Sequence, residues 1–73
     1  MNQQEFLEKL TDIMQRSDTV QASDVLAEYE EWDSLALLGV VSLFDMEFGL
    51  NISASELRKA TTVAELMALA PIN

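Results

Sequence analysis

The stretch Trp32-Asp33-Ser34-Leu35 joins a long acidic segment to the most apolar run of the chain. Asp33 is a favoured helix N-cap residue, because its carboxylate accepts hydrogen bonds from the unpaired amides of a first helical turn. Ser34 would then be the first helical residue, with its hydroxyl at the positive end of the helix dipole, where helices bind phosphate. Trp32 and Leu37 have the spacing of a hydrophobic staple around this cap. The stretch therefore predicts where a central helix begins.

The composition predicts one small domain that is stabilised by helix packing. Its 73 residues are 49% hydrophobic and include neither cysteine nor histidine. A chain of this length buries only about 60% of its unfolded surface. Without cysteine there is no disulfide and no thiolate metal site, and without histidine the commonest metal ligand and general base are absent. We therefore expect a single domain, residues 1–73, that has no metal centre and no histidine to activate a nucleophile.

The chain is strongly acidic, with a net charge of −9 from 13 acidic and 4 basic residues. No basic residue lies between Ser17 and Leu57. Such a surface repels nucleic-acid phosphates and anionic lipids, and it attracts basic protein surfaces. No apolar run approaches the roughly 20 residues of a membrane span, and the N-terminus lacks the basic and apolar regions of a signal peptide. We expect a cytoplasmic monomer that binds neither nucleic acid nor membranes.

Apolar residues at helical spacing predict an all-α bundle of four helices, three longer and one short. The predicted helices cover residues 3–16, 34–48, 54–59 and 63–70. Capping-box pairs begin three of them: Asn2 with Glu5, Ser53 with Glu56, and Thr62 with Glu65. Residues 17–31 form a long loop, with a helical turn near 24–28 and apolar anchors at Val20, Val25, Leu26 and Tyr29.

The two glycines have different roles in the second helix. Gly49 follows the last apolar residue and predicts a left-handed C-cap. Gly39 lies inside the helix, where glycine costs about 1 kcal/mol relative to alanine. Either a neighbouring element packs closely against Gly39 or a partner approaches there. On helix propensity, Gly39→Ala is expected to stabilise the free domain, and a loss of melting temperature would indicate close packing instead.

The order of motifs along the chain resembles an acyl carrier protein. An acidic loop is followed by Asp33-Ser34-Leu35, an apolar helix that ends in Glu47-Phe48-Gly49, then Ile52, and finally Thr61-Thr62-Val63. The similarity extends roughly from Phe6 to Ala70, and it rests on the order and spacing of these motifs together. It implies a four-helix carrier fold with a short third helix and a long loop between the first two helices.

The resemblance implies a covalent cofactor on Ser34. In carriers, the serine of the Asp-Ser-Leu motif receives 4′-phosphopantetheine from coenzyme A, through a separate phosphopantetheinyl transferase and a magnesium-dependent reaction. The thiol of this arm holds acyl groups as thioesters and carries them between enzymes. Asp33 and Leu35 would flank the attachment site, with Asp33 recognised by the transferase. The absence of cysteine and histidine accords with this role, because the cofactor supplies the thiol and partners supply the catalysis.

The resemblance also implies that acyl-loading and acyl-using enzymes dock with basic surfaces on the exposed side of the second helix. Typical fatty-acid carriers place several carboxylates there, whereas the matching positions here are Ala36, Gly39 and Met46. We therefore expect a specialised carrier, for example for a polysaccharide, lipid-modification or secondary-metabolite pathway. Housekeeping carriers commonly have a small residue at the position of Trp32, and this difference also favours a specialised carrier. The residues expected to contact partners are Trp32, Ala36, Leu38, Gly39, Ser42, Asp45 and Met46.

Carriers of this kind can shelter an acyl chain among their helices. Phe44, Phe48, Leu57 and Met67 are candidates for lining such a space, although plain core packing explains each of them singly. Two phenylalanines on one helix face would leave little room. This favours short or polar acyl groups.

Other functions stay open. An aminoacyl or peptidyl carrier uses the same serine but usually has a less acidic surface, so loading by an adenylation enzyme would separate it from an acyl carrier. An unmodified acidic helical interaction module would bind a basic partner, and Ser34 would then be an ordinary first-turn residue. A hydrolase with paired carboxylates is a distant alternative, because the acids lie in solvated runs.

Overall fold

Four α-helices and one 3₁₀ turn make up the fold. The computed structural model describes residues 1–73. The helices are α1 (Gln3–Ile13), α2 (Ser34–Phe48), α3 (Ala54–Leu57) and α4 (Val63–Met67), with the 3₁₀ turn at Leu26–Glu28 between α1 and α2. There is no strand, and α2 contacts both α1 and α3. The predicted all-α, four-helix fold is confirmed.

The first helix, α1, begins as predicted and ends early. The Asn2 side chain accepts a hydrogen bond from the Glu5 amide at 2.8 Å, and the Glu5 carboxylate accepts one from the Asn2 amide at 3.2 Å, so the capping box is complete. The sequence predicts a helix to residue 16, but α1 ends at Ile13. The cause is Gln15, whose φ of 57° is incompatible with a right-handed helix.

The central helix, α2, has the ends that the sequence predicts. The Asp33 carboxylate accepts a hydrogen bond from the Ala36 amide at 3.0 Å, and Gly49 closes the helix in the left-handed conformation with a φ of 65°. Phe44 of α2 stacks on Phe6 of α1, with ring centroids 5.9 Å apart. Neither α2 nor any other helix combines the length and apolarity needed to cross a bilayer.

The buried core joins all four helices to the long loop. Fourteen apolar side chains form it: Phe6, Leu7, Leu10, Met14, Val20, Leu26, Ala36, Leu37, Val40, Phe44, Leu57, Val63, Leu66 and Met67. Most belong to α1, α2 or α4, and their burial provides the main stabilising free energy in a chain with no disulfide.

The last two helices, α3 and α4, are shorter than the sequence predicts. They contain four and five residues, so the bundle has two longer and two short helices instead of three longer and one short. After each helix the chain continues in tighter turns: the amide of Ala60 donates to the carbonyl of Leu57, and the amide of Ala70 to that of Met67. Such i to i−3 hydrogen bonds are typical of frayed helix ends.

Side-chain caps begin α3 and α4, but the predicted capping boxes form only in part. Ser53 accepts a hydrogen bond from the Glu56 amide at 3.3 Å, and Thr62 accepts one from the Glu65 amide at 3.2 Å. The Glu65 carboxylate accepts a hydrogen bond from the Thr61 amide at 3.5 Å instead of from its cap residue. One half of each box is therefore sufficient to start these helices.

Apolar anchors and one buried hydroxyl hold the loop after α1. Val20 and Leu26 are buried, and Val25 and Tyr29 are half-buried. The hydroxyl of Thr11 accepts a hydrogen bond from the Val20 amide at 3.0 Å and donates one to the α1 carbonyl of Leu7 at 2.7 Å. Thr11 thereby ties the loop to α1 inside the core.

The same loop also contacts the start of α4. The amides of Val63 and Ala64 donate hydrogen bonds to the carbonyls of Asp24 and Ala22, at 3.0 and 2.9 Å. The amides of a first helical turn have no hydrogen-bond acceptor inside their own helix. The loop carbonyls therefore supply acceptors for two amides of α4. The loop thus connects α1 and α4 as well as leading to α2.

Gly39 lies where α1 and α2 pack closely. A β-carbon at Gly39 would lie 2.7 Å from Cγ2 of Ile13, which is too close for two carbon atoms. Close packing therefore accounts for this glycine. The stabilisation that helix propensity predicts for Gly39→Ala is corrected accordingly, because the added methyl group would overlap Ile13.

The two ends of the chain meet. The Gln3 amide donates a hydrogen bond to the carbonyl of Asn73 at 2.8 Å, and the Asn73 amide donates one to the carbonyl of Met1 at 3.3 Å. Ile72 packs against the core beside them. The last residues of the chain therefore support the first turn of α1.

Candidate functional site

Ser34 is the first residue of α2, and its side chain is exposed. The backbone around it is fixed by Asp33, whose side chain binds the amide of Ala36 and whose carbonyl accepts from the amide of Leu37 at 3.0 Å. No hydrogen bond within the protein uses the amides of Ser34 and Leu35. The Ser34 hydroxyl is thus accessible at the positive end of a helix of 15 residues.

Arg58 contacts Ser34 directly, a relationship that the sequence reasoning missed. Its Nη2 atom donates to Oγ of Ser34 at 3.3 Å, across 24 residues of sequence. Arg58 is the C-cap of α3, and the packing of α3 on α2 brings it to this position. The one available sequence signal is that Arg58 and Lys59 are the only basic residues in the second half of the chain.

A groove of about 580 Å³ opens beside Ser34. It is larger than the other two cavities, which are about 210 and 270 Å³. A mainly apolar lining with a few polar groups is typical of sites for small molecules or cofactors. Its apolar lining residues are Leu26, Ala27, Trp32, Leu37 and Ala60, and its polar ones are Asp33, Ser34, Arg58 and Thr61.

Trp32 and Leu37 both line this groove, on the two sides of the helix cap. Trp32 is half-buried and packs at the edge of the core, whereas Leu37 is 3% exposed. The spacing that predicts a staple therefore brings the two side chains to one cavity. As a result, the single tryptophan of the chain lies next to Ser34 and can report on changes there.

The exposed face of α2 is apolar. Leu35, Leu38 and Met46 are 76%, 62% and 80% exposed, so three large apolar side chains of one helix face solvent. Ser42 and Asp45 are exposed on the same helix, and the Ser42 hydroxyl lies 4.0 Å from the Met46 sulfur. These five residues (Leu35, Leu38, Ser42, Asp45 and Met46) are called the α2 face below.

Two of the α2 residues expected to contact partners are not on the α2 face. Ala36 is only 3% exposed, so it is a core residue, and its predicted role as a partner contact is corrected. Gly39 is half-buried beneath the side chain of Ile13. For Gly39 the cause is Ile13, the last residue of α1.

The residues expected to shelter a cargo belong to the packed core. Phe44 and Leu57 are fully buried, Met67 is 6% exposed and Phe48 is half-buried. The rings of Phe44 and Phe48 lie 5.9 Å apart, and neither residue lines any of the three cavities. The interior therefore has no preformed space at these positions, and the available volume lies in the groove beside Ser34.

A cluster of charged and aromatic side chains holds the loop near Tyr29. Arg16 lies over the Tyr29 ring, 4.4 Å from its centroid, and forms an ion pair with Glu31 at 3.0 Å. The Tyr29 hydroxyl donates a hydrogen bond to Asp24. Burial, followed by this bond and the Asp24 charge, raises the pKa of Tyr29 to about 12, and the same bond lowers the pKa of Asp24. The acidic side chains do not gather into a group that could hold a metal ion.

In comparisons with known proteins, no family model, no curated protein and no solved structure matches the chain. A functional interpretation therefore depends on Ser34, its surroundings and the sequence pattern around them.

Proposed function

We propose that this protein is an acyl carrier protein whose Ser34 carries 4′-phosphopantetheine. The observation that supports it is the environment of the Ser34 hydroxyl, which is exposed at the start of α2, in contact with a guanidinium and at the edge of a groove of about 580 Å³. A phosphodiester at this position would be stabilised by the helix dipole, by two unpaired amides and by Arg58. These residues fit the group that the sequence pattern implies.

The chemistry divides between the chain and its partners. The Ser34 oxygen would attack the phosphorus next to the pantetheine of coenzyme A, forming a phosphodiester and releasing adenosine 3′,5′-bisphosphate, while the hydroxyl proton goes to a base of the transferase. The chain has no histidine to accept this proton, and it has no cysteine, so the thiol that forms thioesters comes from the cofactor. The protein is a substrate and carrier in this proposal, not an enzyme.

Partner enzymes are proposed to dock on the α2 face next to Ser34. With Leu35, Leu38 and Met46 exposed, their contacts would be largely apolar, and Asp45 and the acidic loop would attract basic surfaces. This combination supports a specialised pathway more than ordinary fatty-acid synthesis. Efficient loading by a housekeeping malonyl transferase, comparable with that of a fatty-acid carrier, would contradict the specialised role.

The test is intact mass after incubation with coenzyme A, magnesium and a broad-specificity phosphopantetheinyl transferase. We expect a single addition of the arm to the wild type and none to Ser34→Ala. Ser42→Ala is the matched control, because Ser42 is also an exposed serine of α2, and it should be loaded like the wild type. Loading of Ser34→Ala, or of a second serine, would place the cofactor elsewhere.

The second candidate is an unmodified interaction module, and the apolar α2 face favours it. Leu38 and Met46 could bind an apolar partner surface without any cofactor, and the net charge of −9 would select a basic one. No mass addition with several transferases, on a chain shown to be folded, would support this function. Loading by an adenylation enzyme after attachment of the arm would instead indicate an aminoacyl or peptidyl carrier.

A further inference from the structure

Arg58 is the basic residue that contacts Ser34, and like Lys59 it forms no ion pair. Lys9 pairs with Glu47 at 3.8 Å and Arg16 with Glu31 at 3.0 Å, and these are the two ion pairs of the protein. Arg58 has no carboxylate partner in a chain with 13 acids, and its guanidinium contacts the hydroxyl of Ser34 instead. An unneutralised cation therefore lies at the serine that is proposed to be modified.

We infer that Arg58 binds the phosphate attached to Ser34 and orients the first part of the prosthetic arm along the groove. This inference rests on the proposed function. The phosphorus would be bonded to the Ser34 oxygen, so its free oxygens lie two bonds beyond the atom that Arg58 already contacts at 3.3 Å. A guanidinium offers several donors in a planar fork and binds phosphate oxygens in pairs, so a small side-chain rotation is sufficient.

The charge of the chain favours this contact at Ser34. The phosphodiester adds a negative charge next to Asp33 and the acidic residues Glu30 and Glu31, in a protein that already has a net charge of −9. Glu31 is paired with Arg16, but Asp33 has no cationic partner. Arg58 is the cation that contacts Ser34, so it offsets this repulsion at the point of attachment.

The position of Arg58 also gives the arm a direction. Arg58 and Ser34 line the same groove, together with Trp32, Ala60 and Thr61. A phosphate held between Ser34 and Arg58 would lie at the rim of this groove, with the rest of the arm leading along its apolar side. A free phosphodiester would have no such preference.

The experiment uses the loaded protein, because it then contains one phosphorus atom. Wild type, Arg58→Gln, Arg58→Lys and Lys59→Gln are loaded enzymatically, and the ³¹P shift and relaxation of each are measured. The Arg58 Nε–H signal is followed in the two proteins that keep Arg58, the wild type and Lys59→Gln. Lys59→Gln is the matched control, since Lys59 is the neighbouring exposed cation and has no contact with Ser34. Loading is checked first by mass. If the wild type is not loaded, the proposed carrier function is overturned, whereas a loaded protein without a phosphate contact overturns only the role of Arg58.

We expect the phosphorus of the loaded wild type to be less mobile than that of Arg58→Gln, and the Arg58 Nε–H signal to shift on loading. An exposed ion pair changes the ratio of bound to free states by roughly two- to fivefold. The ratio of bound to free phosphate should therefore differ by this factor between the wild type and Arg58→Gln. Arg58→Lys should restore part of it, and Lys59→Gln should match the wild type. Equal phosphorus mobility in wild type and Arg58→Gln would overturn the inference, and so would an equal change in Lys59→Gln.

A salt titration of the loaded wild type gives a measurement that needs no variant. At about 1 M salt the screening length falls to roughly 3 Å, so the ³¹P signal should move towards that of an unbound phosphodiester. The Arg58 Nε–H signal should return at the same time to its position in the unloaded protein. Signals that stay unchanged over this range would contradict the contact even if a variant could not be loaded.

Discussion

The Cγ2 methyl group of Ile13 occupies the space that a β-carbon at Gly39 would need, at a separation of 2.7 Å. Isoleucine has little rotational freedom in a helix, so this methyl group cannot turn aside easily. Gly39 is therefore required by the packing of α1 on α2, against its own helix propensity. The same contact makes Gly39 less accessible to a partner protein, because Ile13 covers part of it.

Gly39→Ala should lower the melting temperature. Overpacking costs about 1–3 kcal/mol, which exceeds or cancels the gain of about 1 kcal/mol in helix propensity. In an Ile13→Ala background the obstructing methyl group is absent, so there the same substitution should stabilise the protein. Chemical denaturation of the four variants of this cycle measures the change of sign. Equal effects of Gly39→Ala in both backgrounds would contradict the steric explanation.

Thr11→Val should destabilise the protein and loosen the loop near Val20. The valine keeps the shape of the side chain but removes the acceptor of the buried Val20 amide, at a cost of about 1–3 kcal/mol. Thr11→Ser is the control, because it keeps the hydroxyl and loses only a methyl group. Amide exchange should show faster exchange at Val20 in the valine variant and little change in the serine variant. Protection of Val20 in both variants would mean that the hydroxyl does not hold the loop.

The phenol of Tyr29 should titrate near pH 12 in the folded protein. Because this pKa lies above the ordinary value of 10.0, folding favours the protonated phenol. The associated stability is present at neutral pH and is lost as pH rises from about 10 to 12. Tyr29 is the only tyrosine, so phenolate absorbance follows it directly.

A variant of the hydrogen-bond partner tests the cause of this shift. Asp24→Asn should bring the Tyr29 pKa down by removing a negative charge and weakening the bond, while burial keeps the pKa above 10.0. Asp18→Asn serves as the control, since Asp18 is exposed and is not among the groups that shift the Tyr29 pKa. A Tyr29 titration unchanged by Asp24→Asn would show that Asp24 does not contribute to the raised pKa.

Substitutions of Asp33 should separate the helix cap from recognition by the transferase. Asp33→Asn keeps a good N-cap residue, so its free energy of unfolding should stay near that of the wild type, while loading slows because the carboxylate is missing. Asp33→Ala should lose about 0.5–2 kcal/mol of stability in addition. Unfolding curves and loading rates measured on the same samples distinguish the two effects. Normal loading of folded Asp33→Asn would exclude a role of the charge in recognition.

The sequence predicts those features that a few neighbouring residues determine. Asp33 and Gly49 define both ends of α2 locally, because one caps the first amides and the other adopts the left-handed conformation that ends a helix. The early end of α1 has no comparable signal. Gln15 adopts a positive φ although it is not a glycine, so the apolar spacing alone extends the helix too far.

The features that the sequence does not predict depend on packing between helices. The apolar stripe of α2 predicts that the helix is largely buried, but it does not predict that Ala36 belongs to the core while Leu38 is 62% exposed. Likewise, Arg58 and Ser34 meet across 24 residues only because α3 packs on α2. Ser34 can be identified from its local sequence pattern, whereas Arg58 can be identified as its neighbour only from the tertiary structure.

The hydrogen bonds among Met1, Gln3 and Asn73 make the chain nearly a closed ring. Joining its ends would strain the folded state little and would lower the entropy of the unfolded chain, and the order of the helices around the ring would be preserved. The exposed residues Ser17 and Asp18 offer a place where such a ring could be opened without interrupting a helix. A chain with joined ends that is opened at this loop should therefore keep the same helix contacts and the same fold.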